Sequence, residues 1–189
     1  MKLKLPTSNE WVLAVLSDFD AFLLDHAANE RKASASALTF LVRYPDKTPI
    51  IEPLIQLARE ELAHFHRVYK VMETRNLTFQ KDVKDPYLAA LRKTVTSPPE
   101  EDLLDRLLVA GVVEARGCER FTLLGEALQE PNLKSFYTEL AQSESRHADL
   151  FESLACLYYD TQRVHARREE LLALEANIIQ NLPIRAALH

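Results

Sequence analysis

Glycine, cysteine and long apolar runs are all scarce in this sequence. Three glycines occur in 189 residues, at 111, 117 and 125. A β-rich chain of that length needs many more at its turns, and the Asn-Gly and Asp-Gly hairpin signals are absent. The two cysteines, Cys118 and Cys156, exclude a disulfide scaffold and a four-cysteine zinc or rubredoxin-type iron site within one chain. No uncharged apolar stretch reaches the roughly 18 residues of a membrane span. The opening MKLKLPTSNEW is basic, but Pro6, Ser8, Asn9 and Glu10 interrupt it. It does not read as a secretory leader, so the expected compartment is the cytoplasm. Lys and Arg number 23 against 28 Asp and Glu, a net charge of −5. That balance argues against a surface generally built for nucleic acid and permits a local basic patch. The length suits one domain, 1–189, with a self-sufficient core.

Nine prolines supply the punctuation that glycine does not. Between them the apolar pattern predicts five long helices. The first runs from Ser17 to Arg43, with Ser17 as N-cap and a short helical piece, Glu10–Leu16, before it. The second runs from Pro49 to Arg75. The third opens at Ser97-Pro98-Pro99-Glu100-Glu101-Asp102, acids at the positive end of the helix dipole, and continues to Leu128. The fourth runs from Pro131 to Asp160, and a fifth, amphipathic one from Arg163 to Asn181. The longest connection, 76–97, is expected to hold a short helix near Tyr87–Lys93. The fold class is therefore all-α: an antiparallel four-helix bundle with a long connection between its second and third helices and extra terminal helices.

Acids and histidines then occur where apolar residues belong. In the second helix Leu54, Leu57, Glu61, His64 and Val68 share one stripe; in the fourth, Leu140, Glu144, His147, Phe151 and Leu154 do. Each stripe carries Glu-x-x-His, two side chains about 60° apart around the helix and one turn apart along it, so both can address one ion. The first helix places Glu30 among Leu23, Ala27, Ser34 and Ala37, and the third places Glu114 among Leu107, Ala110, Cys118 and Phe121. The separations repeat, 31 residues from Glu30 to Glu61 and 30 from Glu114 to Glu144. Four buried carboxylates would repel one another and cost several kcal/mol each, roughly, without partners. Two cations resolve that conflict, and mixed oxygen and nitrogen donors suit iron or manganese. The candidate ligands are thus Glu30, Glu61, His64, Glu114, Glu144 and His147. Glu119 rivals Glu114 but lies about 140° off the stripe and breaks the repeat.

Around this set the expectations are plainer. Glu60 is placed to orient the imidazole of His147 from beside Glu61, or to be a solvated acid; Ser143 is the weaker partner for His64. His26, His66, His165 and His189 read as surface or cap residues, and the cysteines as small core fillers. Gly111 and Gly117 flank Glu114 and mark room for substrate or oxygen, a π-bulge, or close helix packing.

The segments around the ligands carry a resemblance. Asp25-His26-Ala27-Ala28-Asn29-Glu30-Arg31-Lys32-Ala33, Glu61-Leu62-Ala63-His64-Phe65, Val113-Glu114-Ala115-Arg116-Gly117-Cys118-Glu119-Arg120-Phe121 and Glu144-Ser145-Arg146-His147-Ala148-Asp149-Leu150-Phe151 resemble the MiaE family of tRNA hydroxylases, within the ferritin-like diiron superfamily. The resemblance covers roughly residues 7–180. It implies a ferritin-like domain and two non-haem iron ions. It implies dioxygen as co-substrate and hydroxylation of the isopentenyl group on 2-methylthio-isopentenyladenosine beside the anticodon. Glu30, Glu61, Glu114 and Glu144 would then act through the metal centre. An external electron donor is implied, because no flavin or ferredoxin motif is present. A monomer or small oligomer without a membrane partner is expected. A tRNA substrate also predicts basic contacts: Lys81, Lys84, Arg92 and Lys93 in one cluster, Arg163, Arg167 and Arg168 in another. Tyr87 is a candidate to stack on a base. The competing readings are a ferritin-like iron oxidase or storage protein, another diiron oxygenase, a manganese catalase, and a metal-free four-helix protein.

Overall fold

A computed structural model describes residues 1–94 and 102–189. Among these, seven helices and no strand occur: α1 (Asn9–Ser17), α2 (Phe19–Arg43), α3 (Thr48–Thr74), α4 (Pro86–Thr94), α5 (Asp102–Ala127), α6 (Pro131–Cys156) and α7 (Thr161–Asn181). The all-α expectation holds, and the short helix in the long connection is present. The predicted start of the third helix, from Ser97 to Glu101, lies outside the described residues.

Two boundaries differ from expectation for reasons the side chains show. The N-cap of α2 is Asp18, whose carboxylate accepts the Ala21 N–H at 3.1 Å; Ser17 instead ends α1, its hydroxyl donating to Ala14 O at 2.8 Å. An ionised acceptor at the helix dipole's positive end is the stronger cap. The fourth helix stops at Cys156 rather than Asp160, because Asp160 is taken as the N-cap of α7, accepting from Gln162 and Arg163 N–H. Pro53 lies inside α3, where its missing N–H leaves only the Pro49 carbonyl of the first turn without that donor. At the other end of α3, Asn76 adopts the left-handed φ of 57°, and Leu77 N–H reaches back to Met72 O at 3.0 Å. That six-to-one bond is a Schellman stop without glycine, using the one non-glycine type that tolerates this conformation well.

The residues fall into two compact units. One comprises residues 13–83 and 185–188. Its frame is the α2–α3 hairpin. Contacts run in opposite senses along the two helices: Asp20 pairs with Arg75 near one end, and Ser34 donates to Ala58 O further along. The buried apolar residues are Phe22, Leu23, Ala27, Ala37 and Phe40 on α2 and Ile50, Leu54, Leu57, Val68 and Met72 on α3. The other unit comprises residues 1–12, 84–184 and 189. Its frame is the α5–α6 hairpin. Gly111 and Gly125 let these helices approach: a Cβ at Gly125 would stand 2.9 Å from Thr138 Oγ1, and one at Gly111 3.3 Å from Ala148 O. α5 is α-helical over its whole length, so those glycines serve close packing and not a π-bulge.

Candidate metal centre

In the α2–α3 hairpin, Glu30, Glu61 and His64 each offer a ligand atom within 4.8 Å of the others. All three are buried, Glu61 to 1% exposure. His64 Nδ1 lies 3.6 Å from Glu30 Oε2 and 3.5 Å from Glu61 Oε2, so the ring presents Nδ1 to the carboxylates. The other oxygen of Glu30 is held by His26: Nε2 to Oε1 is 2.6 Å, and His26 is fully buried against Phe22. His26 is therefore not a surface residue. It lies one turn before Glu30, and the (i, i+4) spacing that marks a shared helix face was the signal for it.

In the α5–α6 hairpin, Glu114, Glu144 and His147 likewise offer atoms within 4.8 Å of one another. His147 Nδ1 lies 3.3 Å from Glu144 Oε2. Glu144 and His147 are buried and Glu114 is half-buried. Ser143 stands 3.5 Å from His147 Nε2 in its own helix. Gly117 leaves space beside this cluster, since a Cβ there would meet only Glu144 Cγ at 3.9 Å. Glu119 belongs to a different structure. It accepts Thr7 N–H at 3.1 Å and pairs with Arg116, which removes it as the rival to Glu114.

Arg116 itself escaped the sequence reading. It is a wholly buried guanidinium. Nε and Nη2 donate to Glu175 at 2.8 and 2.9 Å, Nη2 also to Leu5 O at 2.9 Å, and Nη1 to Thr7 Oγ1 at 3.0 Å. Burial works against its charge, but the Glu175 hydrogen bonds raise its pKa overall. Arg120 beside it is pushed down to about 10, first by burial and then by Arg116, and stacks over Trp11 at 4.8 Å. Tyr87 is fully buried, its hydroxyl 3.3 Å from Glu175, so it cannot stack on a base. His189 is buried too, stacked on Tyr87 at 4.7 Å and 3.3 Å from Asp85.

The other expected residues distribute as follows. Glu60, Lys81, Lys84, Arg92, Lys93 and Arg163 are exposed, as are His66 and His165. Arg167 and Arg168 are engaged in ion pairs. Arg167 clasps the buried Asp105 at 2.7 and 2.9 Å, and Arg168 reaches Glu152 at 2.6 Å. The half-buried Cys118 thiol is pushed up, chiefly by burial and then by Glu144. No described helix is long and apolar enough to cross a membrane.

Comparison with known proteins gives these geometries a context. The model of the family tRNA-(MS2IO6A)-hydroxylase (MiaE) matches residues 1–189. The chain is 35% identical over 176 residues to the tRNA 2-(methylsulfanyl)-N(6)-isopentenyladenosine(37) hydroxylase of Pseudomonas putida, across 93% of this chain and 85% of that protein. It is 31% identical over 174 residues to the hydroxylase of the same name from Salmonella typhimurium, across 89% of this chain and 63% of that one. A Synechococcus protein with aldehyde deformylating oxygenase activity has a solved structure that superposes with a TM-score of 0.93 at 33% identity, covering 99% of this chain and 94% of that one.

Proposed function

The chain belongs to the MiaE family of tRNA hydroxylases, and on that premise we propose that it hydroxylates the isopentenyl side chain of 2-methylthio-isopentenyladenosine beside the tRNA anticodon. The fold is ferritin-like and all-α. The observation that carries the reading is the matched pair of buried carboxylate–imidazole clusters on two helical hairpins. Their donor set suits iron: acidic oxygens neutralise the cations, imidazoles complete the shell, and burial keeps the charges from water. We assign two iron ions to Glu30, Glu61, His64, Glu114, Glu144 and His147. Bound iron would supply the redox chemistry by which dioxygen is activated.

The chain's own groups do the rest. Glu30, Glu61 and Glu144 present their carboxyl oxygens from buried positions, where the packing around them limits access of water. His26 fixes Glu30 through one oxygen and leaves the other for the metal. The half-buried Glu114 and the side-chain-free surface of Gly117 leave room for a prenyl chain on that side. Glu60, exposed beside Glu61, is assigned to orienting His147. The reaction takes R–H, dioxygen, two electrons and two protons to R–OH and water, so a separate protein must donate the electrons. Lys81, Lys84, Arg92, Lys93 and Arg163 are the exposed cations offered to tRNA phosphates. Arg167 and Arg168 are already committed to carboxylates. We place the protein in the cytoplasm, where its substrate is.

The test is direct. Iron-loaded protein, reductant and oxygen are incubated with tRNA bearing the isopentenyl modification, and the digested nucleosides are weighed. One added oxygen on that nucleoside is expected. No added oxygen, with iron bound and reductant consumed, would overturn the reading. The structural likeness to a protein with aldehyde deformylating oxygenase activity favours a second reading in that event, a diiron oxygenase with a different organic substrate. Turnover of ferrous iron alone would indicate an iron oxidase.

A further inference from the structure

Residues on the outer side of α3 form a surface that the metal centre does not use. Arg59, Leu62, Ala63, Phe65, His66 and Tyr69 line an open groove of about 480 Å³. Their spacing, 59, 62, 66 and 69, is a second stripe on the helix that buries Glu61 and His64. The loop after α3 adds Phe79, stacked on Tyr69 at 5.6 Å with the rings 6° from parallel, and tilted against Phe65 at 5.6 Å. Phe79 nevertheless remains 46% exposed and Leu62 55% exposed. The loop is tied down: Arg31 donates twice to Asp82, at 2.7 and 2.8 Å, and Lys32 lies 3.8 Å from the same carboxylate. An aromatic shelf anchored in this way keeps its outer face available without paying to order it.

Charge decides the occupant. Arg59 stands on the groove itself, and Lys81 is exposed on the loop. Of the exposed acids between residues 59 and 84, Glu73 is taken by Lys70 and Asp82 by Arg31. A second copy of the chain, docked by the same patch, would set these cations against one another. A flat apolar floor with a cationic rim fits unpaired nucleobases and their phosphates, because every base has a π-face and every linkage a negative charge. We propose that the Phe65–Tyr69–Phe79 shelf is the docking surface for unpaired bases of the anticodon loop, with Arg59 and Lys81 on its phosphates. This rests on the tRNA reading above and extends it, since sequence alone pointed to lysines, arginines and Tyr87, and not to these three aromatics.

The probe is an anticodon stem-loop RNA with an unmodified adenosine 3′ of the anticodon, titrated into the full iron-loaded chain at several salt concentrations. Phe79→Ala is expected to weaken binding about tenfold, within the range of base–aromatic stacking, and Phe79→Trp to restore it. Lys81→Ala is expected to lower the salt slope by about one. Lys81→Glu, which disturbs no packing, tests the surface even if Phe79→Ala fails to fold, and is expected to weaken binding by more than Lys81→Ala. Unchanged binding in both Phe79→Ala and Lys81→Glu would overturn the proposal. So would sedimentation showing a wild-type dimer that Phe79→Ala converts to monomer. Wild-type protein that binds the stem-loop but leaves isopentenylated tRNA unaltered would overturn the hydroxylase reading and support the surface. Wild-type protein that does not bind the stem-loop but hydroxylates isopentenylated tRNA would overturn the surface and support the hydroxylase reading.

Discussion

Glu30 in the α2–α3 hairpin is 4% exposed and takes a 2.6 Å hydrogen bond from His26, four residues upstream. Glu114, its counterpart in the α5–α6 hairpin, is half-buried, and the residue four upstream is Ala110, which has nothing to donate. The two hairpins repeat the same ligand spacing and support it by different means. The first holds its lone glutamate by a side chain on the same helix. The second leaves its glutamate more open, next to a glycine, and concentrates its buried polar bonding elsewhere, on Arg116, Glu175, Glu119 and the N-terminal segment. The first glutamate is buried and bonded to His26, the second is half-buried with open space at Gly117, and on the proposed function that space would admit a bulky substrate.

The largest effect should come from the shared part. Glu61→Ala and His147→Ala, one from each hairpin, are each expected to abolish iron binding and hydroxylation together, read by metal analysis and nucleoside mass. Full activity in either variant would break the equivalence of the two hairpins. Arg116→Ala should act on stability alone. Removing one partner of a buried ion pair costs about 3–5 kcal/mol, so its denaturation midpoint should fall sharply. His26→Ala should weaken iron binding about 10- to 100-fold, measured by chelator competition, with His26→Gln recovering part of it by restoring a donor. An unchanged affinity would mean that Glu30 needs no support and the asymmetry is without consequence.

Smaller contrasts sharpen the picture. Gly125→Ala must displace Thr138 and is expected to cost about 1–3 kcal/mol. Gly117→Ala meets nothing nearer than 3.9 Å and is expected to gain up to about 1 kcal/mol of helix stability. Any loss of hydroxylation in Gly117→Ala, with iron bound, would locate the space the prenyl chain needs. The least effect is expected at Asp85. Burial opposes its ionisation, but the His189 ring 3.3 Å away and the Leu88 and Tyr87 N–H groups hold its carboxyl below the ordinary value of 3.8. A depressed carboxylate stabilises the fold fully above that value and loses its contribution as pH falls through the lowered one. The stability difference between wild type and Asp85→Asn should therefore be present at neutral pH and vanish in acid.

Much of the architecture was legible because helices announce themselves locally. The 3–4 spacing of apolar residues marked α2, α3, α5, α6 and α7, and the same spacing put six acids and imidazoles on the buried stripes. Where the reading slipped, a neighbour in space had intervened. Tyr87 looked like an exposed aromatic able to stack on a base and is buried against Glu175, 88 positions away. His189 read as a surface or cap residue and stacks on that same ring. Arg167 looked like a phosphate contact and neutralises the buried Asp105, 62 positions away.

Sequence alone determined the helices, their order, and the six candidate ligands, because periodicity within one helix is a short-range property. It also set the family, through the residues flanking those ligands. Tertiary structure decided which charges are spent and which remain. Glu119 was diverted to Arg116 and Thr7, leaving the stripe to Glu114. Arg167 was drawn to Asp105, and Phe79 was laid on Tyr69 beside exposed lysine. Those outcomes depend on which side chains meet across separate elements, and a buried charge takes whichever partner the packing brings within reach.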